Sequence, residues 1–429
     1  MKYLPIDSQL FIDNRERFVK ELKPNSLAIF NSNDIMPTNA DGVMPFRQNN
    51  DLFYLCGVDQ EETVLVIYPD AKDENHREML FVKETSDEIA IWEGAKLTHE
   101  QAFGVSGIKA VHWVSDSDAH LKALVKECDT VYLNKNIHSR ATMDVETRDD
   151  RFAKEFKEKN PGIAIENAAE IMHKLRAVKS DIEIAQMQTA CDITEKGFRR
   201  ILKFIKPGVM EYEIEAELSH EFLRNRATGF AYSSIIASGF DACVLHYVDN
   251  NKECKDGEVI LMDFGAEYAN YASDMTRSVP VSGKFTQRQR DVYNAVLRVL
   301  RGAYPLLTIG KLIKDYHAEV GLLMEEELIG LGLLNADEVK KQDKENPLYK
   351  KYFMHGTSHF LGLDVHDVGN FDWPIQAGNV FTCEPGIYIR EENLGIRLEN
   401  DLLITENGVI DLMGNIPIEA GEIEELMNS

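Results

Sequence analysis

Cysteine is scarce in this 429-residue chain: there are six, at 56, 128, 191, 243, 254 and 383, with no CxxC pair. That spacing excludes a dense disulfide framework, and free thiols in a reducing compartment are the simplest expectation. Basic residues are also in deficit. The 47 Lys and Arg face 72 Asp and Glu, for a formal charge of −25 and a pI near 4.9. Phosphate recognition needs basic patches, so neither nucleic acid nor an anionic membrane is expected as a partner. No segment reaches the roughly 20 apolar residues of a membrane span. The opening MKYLPIDSQLFIDNRER has no apolar stretch of the kind a secretion signal carries. A soluble cytoplasmic protein is expected. Short-period repeats and low-complexity linkers are missing too.

At roughly 150 residues per domain, the length suggests two or three domains. The first part alternates strand-like runs (LAIF, TVLVIYP, EMLFVK, TVYLN) with polar or helical stretches, as an α/β domain does. A boundary is expected in 165–178, dividing the chain into residues 1–170 and 171–429. Beyond it, Ser180-Asp181-Ile182-Glu183 has the form of a capping box. A long packing helix should follow, with Ile184, Met187, Cys191, Phe198 and Ile205 near helical spacing, stopped by Pro207-Gly208. Residues 211–227 predict a second helix, and QRQRDVYNAVLRVLRGAY the start of a third.

Acids in apolar surroundings carry the functional signal. Asp263 follows the strand-like VILM, and Asp274 lies eleven positions on, past the turn-prone AEYANY. A hairpin centred on Tyr268-Ala269 sets the two acids opposite each other, Cβ atoms roughly 5 Å apart. Asn270 tolerates positive φ, so a bulged loop that slips the pairing by one is the alternative. VFTCEPGIYI and LGIRLENDLLIT form a second strand pair around REEN, and a turn centred on Glu391-Glu392 sets Glu384 opposite Glu399. Asp and Glu are rarely buried unpaired, so two hairpins that each present two acids are not explained by core packing. Burying four carboxylates together is prohibitive unless cations neutralise them.

MHGTSHFLGLDVHDVG adds His355, His359 and His366. Gly356-Thr357-Ser358 replaces the helix formers of an HExxH zinc helix, so the run is expected to be extended or turning. Any one of these histidines alone is more simply a hydrogen-bonded core or surface residue. Together with four acids, His359 completes a donor set that balances two divalent ions. A carboxylate-rich set suits harder ions, manganese before zinc. Two such ions about 3.5–4 Å apart can share a water and lower its pKa.

The ordered set Asp263, Asp274, His359, Glu384 and Glu399 resembles the dinuclear site of the pita-bread metallopeptidases. HGTSHFLGLDVHDVG, TCEPGIYI, GIRLEND and the N-terminal MPFRQNNDLFYLCGVDQEETVLVI resemble the Xaa-Pro aminopeptidase (aminopeptidase P) branch. The resemblance implies an N-terminal α/β domain followed by a C-terminal pita-bread catalytic domain, α+β with a pseudo-twofold axis. It also implies that those five residues hold two metal ions, most simply Mn²⁺, with Glu384 as proton shuttle. His246, His355 and His366 match positions that contact substrate or steady the tetrahedral intermediate. Tyr388 and Arg397 match positions that orient the ligands. Phe360, Cys383 and Asn400 depart from the branch, where Trp, a small aliphatic and Asp are usual. The expected activity is release of the residue ahead of a proline in second position, by a hydroxide shared between the metals. A homo-oligomer, dimer or tetramer, is implied. Trp92 and Arg47 are ordinary packing positions, or else reach toward a neighbouring subunit's site.

Competing expectations are a prolidase, which shares fold and ligands but prefers dipeptides, and a non-catalytic peptide-binding module. Thr357-Ser358 resembles the aminopeptidase branch, and non-catalytic members typically lack ligands that are all present here. A creatinase-type amidinohydrolase lacks the acidic set.

Overall fold

Short β-branched and aromatic runs make the first sheet, because their side chains pack well on a pleated, covered surface. The computed structural model describes residues 2–138, 140 and 144–429, in two compact units, Tyr3–Arg176 and Ala177–Ser429. The first unit is α/β, as expected. Its strands are β1 (Ser26–Asn31), β2 (Val64–Ile67), β3 (Glu78–Val82), β4 (Ala110–Trp113), β5 (Thr130–Leu133) and β6 (Ala164–Asn167), in the order β4-β3-β2-β1-β5-β6. Strand β1 is buried along its whole length and pairs antiparallel with β2 and parallel with β5. Leu27, Ile29, Val66, Phe81, Val131 and Leu133 form the core of this unit with Leu121, Leu124 and Phe156. The edge strands β4 and β6 were not expected. AVHW and AIEN are four residues each and at most half-buried, so neither carries a run of core residues. Trp92 is 84 % exposed.

The second unit repeats one pattern twice. Helices Asp181–Leu202 and Glu211–Arg224 precede β7 (Gly229–Phe230), β8 (Ile235–Ser238), β9 (Val259–Phe264), β10 (Ala266–Tyr268), β11 (Tyr271–Ala272) and β12 (Met275–Pro280). Helices Gln287–Ala303 and Ile313–Gly330 then precede β13 (Val380–Cys383), β14 (Gly386–Ile389), β15 (Leu394–Arg397), β16 (Asn400–Thr405) and β17 (Gly408–Asp411). The capping box is present at Ser180 and Glu183, and Met187, Cys191 and Phe198 are buried on that helix. The helix ends at Leu202, earlier than expected, and Gly208 turns the chain at φ +94°.

The second hairpin has the expected register. Cys383 pairs with Asn400 and Gly386 with Arg397, so Glu384 and Glu399 face each other in the gap between. The first hairpin differs. Its turn is centred one residue later, on Ala269 and Asn270 with φ of 53° and 66°, the twist-matched two-residue form. Asp263 consequently faces Thr276, not Asp274 or its immediate neighbour. A slip of two preserves the face on which each side chain lies, so the acids remain neighbours. The two hairpins are joined at their inner strands: Glu399 N–H donates to Thr276 O at 3.1 Å, and Ser278 Oγ to Arg397 O at 3.2 Å.

Gly265 permits the first hairpin to close, since a Cβ there would overlap the Ser273 carbonyl oxygen beside Asp274. Gly265→Ala should cost about 1–3 kcal/mol or more of stability through overpacking. It should also weaken divalent-ion binding, which thermal melts with and without Mn²⁺ will measure.

Candidate metal centre

The five side chains singled out above converge. Asp263 lies near the end of β9 and Asp274 immediately precedes β12, while Glu384 and Glu399 occupy matching breaks between β13 and β14 and between β15 and β16. His359 comes from a non-helical segment alongside β13, tied by Thr382 N–H to His359 O at 3.0 Å and Glu384 N–H to Thr357 O at 2.9 Å. His359 Nδ1 lies 2.9 Å from Phe360 O, which makes Nδ1 the donor there and turns Nε2 toward the acids. That Nε2 is 3.4 Å from Asp274 Oδ2 and 3.8 Å from Glu384 Oε1. One donor atom each from Asp274, His359 and Glu399 falls within 4.8 Å of the others.

Asp263 joins through Tyr232, whose hydroxyl is 2.6 Å from Asp263 Oδ1 and 2.5 Å from Asp274 Oδ1. A single hydroxyl proton serves only one of these oxygens at a time. Arg397 spreads one positive charge across the site: it donates to Asp263 Oδ2 at 2.6 Å, Thr276 Oγ1 at 3.0 Å and the Tyr388 hydroxyl at 2.9 Å. Thr276 in turn donates to Glu399 Oε2 at 2.6 Å. The Tyr388 hydroxyl lies 2.8 Å from His355 Nε2, and His355 Nδ1 lies 2.8 Å from Gly356 O, so both His355 nitrogens are engaged. His366 is exposed, its ring perpendicular to that of His359 with centroids 4.4 Å apart. His246 is exposed, and its charge opposes protonation of His355.

The electrostatics are those of crowded carboxyls. Burial, then the Asp263 charge, holds the Asp274 carboxyl well above the usual carboxylate range; Glu399 is raised by burial and by Asp274 and Glu384. Burial pushes Glu384 up to about 7, against the pull of His359 and Arg397. Burial and Arg397 press His355 down to about 3, so it is a neutral ring. Four acids, one imidazole whose Nε2 faces them and, among the described residues, the Arg397 guanidinium in direct contact leave an excess of negative charge. A divalent cation fits this donor set, and its charge would reverse these shifts.

Tyr232, Thr276 and Asp401 are the neighbours that sequence reasoning missed. Tyr232 lies between β7 and β8 with no periodic signal to mark it, and the β8–β9 and β7–β10 pairings bring it to Asp263. Asp401 is fully buried and accepts from the Asp274 N–H at 3.1 Å and the Cys191 thiol at 3.4 Å. Asn400 is well suited to its place: its carbonyl accepts from Arg277 at 2.7 Å while its amide donates to Asp411 at 2.7 Å, where a carboxylate would repel Asp411.

Residues 185–406 match the model of metallopeptidase family M24, and residues 11–132 match the aminopeptidase P N-terminal domain. The chain belongs to metallopeptidase family M24. It is 34 % identical to the Xaa-Pro aminopeptidase of Escherichia coli K12 over 98 % of both chains. It is 31 % identical to human Xaa-Pro aminopeptidase 3, over 92 % of this chain and 78 % of that protein. A zinc-substituted E. coli aminopeptidase P in complex with product superposes with a TM-score of 0.88 at 33 % identity, covering 99 % of each chain. Pseudomonas aeruginosa aminopeptidase PepP gives 0.89 at 30 % identity, over 100 % of this chain and 99 % of that one. The M24 chain is thus a two-domain aminopeptidase P fold with a pita-bread second domain, as its motifs implied, and a metal-dependent peptidase. Among the described residues no helix is long and apolar enough to cross a membrane.

The raised carboxyls set the pH behaviour of the metal-stripped protein. Their folded-state pKa values exceed the unfolded carboxylate value of about 4. Their contribution to stability is therefore present below pH 4 and lost as pH rises, for Glu384 as it passes about 7. Divalent ions bind the deprotonated acids. The gap in melting temperature between metal-loaded and chelator-treated protein should widen from pH 5.5 to pH 8, which scanning fluorimetry checks.

Proposed function

We propose that this M24 peptidase is an Xaa-Pro aminopeptidase, releasing the N-terminal residue from peptides with proline second. The observation that carries this is the convergence of buried Asp274, His359 and Glu399 with half-buried Asp263 and Glu384, in a chain similar throughout its length to Xaa-Pro aminopeptidases. Those five residues would hold two divalent ions, and the predominance of carboxylates favours Mn²⁺. When bound, such ions would lower the pKa of a coordinated water and polarise the scissile carbonyl.

The chain's own groups account for the remaining steps. A bond preceding proline has no N–H for a peptidase to grip, so recognition must fall on the carbonyl and the free α-amine. Glu384, raised toward neutrality by burial, takes a proton from the attacking water and returns it to the departing proline nitrogen. His366, over the His359 ring, and His246 supply donors to the developing oxyanion. His355 stays neutral beside Glu384, 3.7 Å away, and fixes the Tyr388 hydroxyl. Tyr388 and Arg397 hold Asp263 in place. In this reading residues 171–429 carry the chemistry, residues 1–170 form the N-terminal domain, and the protein works in the cytoplasm as a homo-oligomer.

The deciding experiment compares an Xaa-Pro dipeptide with an Xaa-Pro-Yaa tripeptide in Mn²⁺. The tripeptide should be cleaved faster, releasing one N-terminal residue; preference for the dipeptide would make the protein a prolidase, and no cleavage a binding module. Activity should vanish on chelation and return best with Mn²⁺. Glu384→Gln should lower kcat by about 10²–10⁴-fold with an unchanged circular dichroism spectrum; near-normal kcat would remove Glu384 from proton transfer.

A further inference from the structure

Beneath the loop that carries His366 lies an ion pair that the chemistry above does not use. Lys179 Nζ is 3.0 Å from Asp367 Oδ2, and each side chain is 1 % exposed. Desolvation offsets most of the attraction in such a pair, so it is a poor way to stabilise a fold. Its location is what distinguishes it. Asp367 follows His366 directly, and its N–H donates to Phe360 O at 2.9 Å, closing the loop onto the residue after His359. Gly362 makes room for the pair, because a Cβ there would overlap Asp367 Oδ2 and lie 2.9 Å from Lys179 Cε. Gly362 O accepts from the Ala272 N–H at 2.8 Å, tying the loop to the strand two residues before Asp274. Lys179 itself is anchored, its N–H donating to Gly378 O at 2.8 Å. The loop is held from both sides, and its one exposed imidazole is the ring that stands against His359.

We propose that Lys179 and Asp367 are positioning residues that fix the His366 imidazole over the reacting carbonyl. The proposal rests on the aminopeptidase reading for what His366 does, and on geometry alone for where it sits. Removing one charge would strand the other, so the main test replaces both, Lys179→Met with Asp367→Asn, in the full Mn²⁺-loaded protein. On an Xaa-Pro-Yaa tripeptide kcat should fall about 10–100-fold with KM little changed, the scale of a misplaced catalytic group. In a His366→Ala background the same double change should have no further effect on kcat. An unchanged kcat, or a loss that simply multiplies that of His366→Ala, overturns the proposal. Lys179→Gln with Asp367→Asn, which leaves neither charge stranded and keeps two groups able to hydrogen-bond, should show a smaller loss in the same direction and serves if the first double variant melts early. If the parent protein cleaves no Xaa-Pro peptide, the aminopeptidase reading fails separately. The crystal structure of the double variant then decides the positioning claim: His366 still perpendicular to His359 at 4.4 Å overturns it.

Discussion

Mutual repulsion among Asp263, Asp274, Glu384 and Glu399 is the constraint around which the second unit is organised. Left alone, four such groups out of water would take up protons or force the hairpins apart. The protein answers with groups that donate to the acids without cancelling them. Arg397 supplies one charge, Thr276 and Tyr232 supply hydroxyl protons, and the backbone carbonyl of Phe360 fixes the His359 ring so that Nε2 faces the acids. A second guanidinium, Arg277, is fully buried behind Glu399 and spends its protons on the Thr276, Glu399 and Pro417 carbonyls and on Asn400. It thus lends positive potential to the site while leaving every carboxylate oxygen of the four acids to other partners. The arrangement falls short of neutrality by an amount that cations complete.

The repeated helix-pair-and-hairpin pattern explains how the acids are delivered. Each hairpin brings two acids to one face because side chains alternate along a strand, and the inner strands β12 and β15 lie against each other through Ser278 and Arg397. One sheet alone would offer half the donors. Joining two makes a site whose donors come from chain positions 136 residues apart, Asp263 to Glu399, so the centre exists only when the whole unit has folded.

How much of this could be read from residue order depended on turns. REEN lies between two long apolar runs, and the resulting register holds from Val380 opposite Leu403 to Ile389 opposite Leu394. AEYANY was harder, because Ala269 takes a positive φ that its identity does not advertise, and the turn moved by one residue. The error left the site intact, since a two-residue slip conserves the face. The five donors and the non-helical histidine segment were legible because acids and imidazoles in apolar runs stand out. Tyr232, Thr276 and Asp401 were not, because a tyrosine or threonine near a strand is ordinary until its neighbour across the sheet is known. Strands β4 and β6 were missed for a different reason: short edge strands bury too little to leave a hydrophobic pattern.

All six thiols are free and buried, and burial raises the pKa of Cys56, Cys191, Cys243, Cys254 and Cys383 well into or beyond the alkaline range. Thiolate is the form that reacts with maleimides and iodoacetamides, so the folded protein should be nearly blind to both. A cysteine introduced at an exposed position would be the one reactive sulfur on the molecule. Fluorophores or spin labels could then be attached without first stripping out the native thiols.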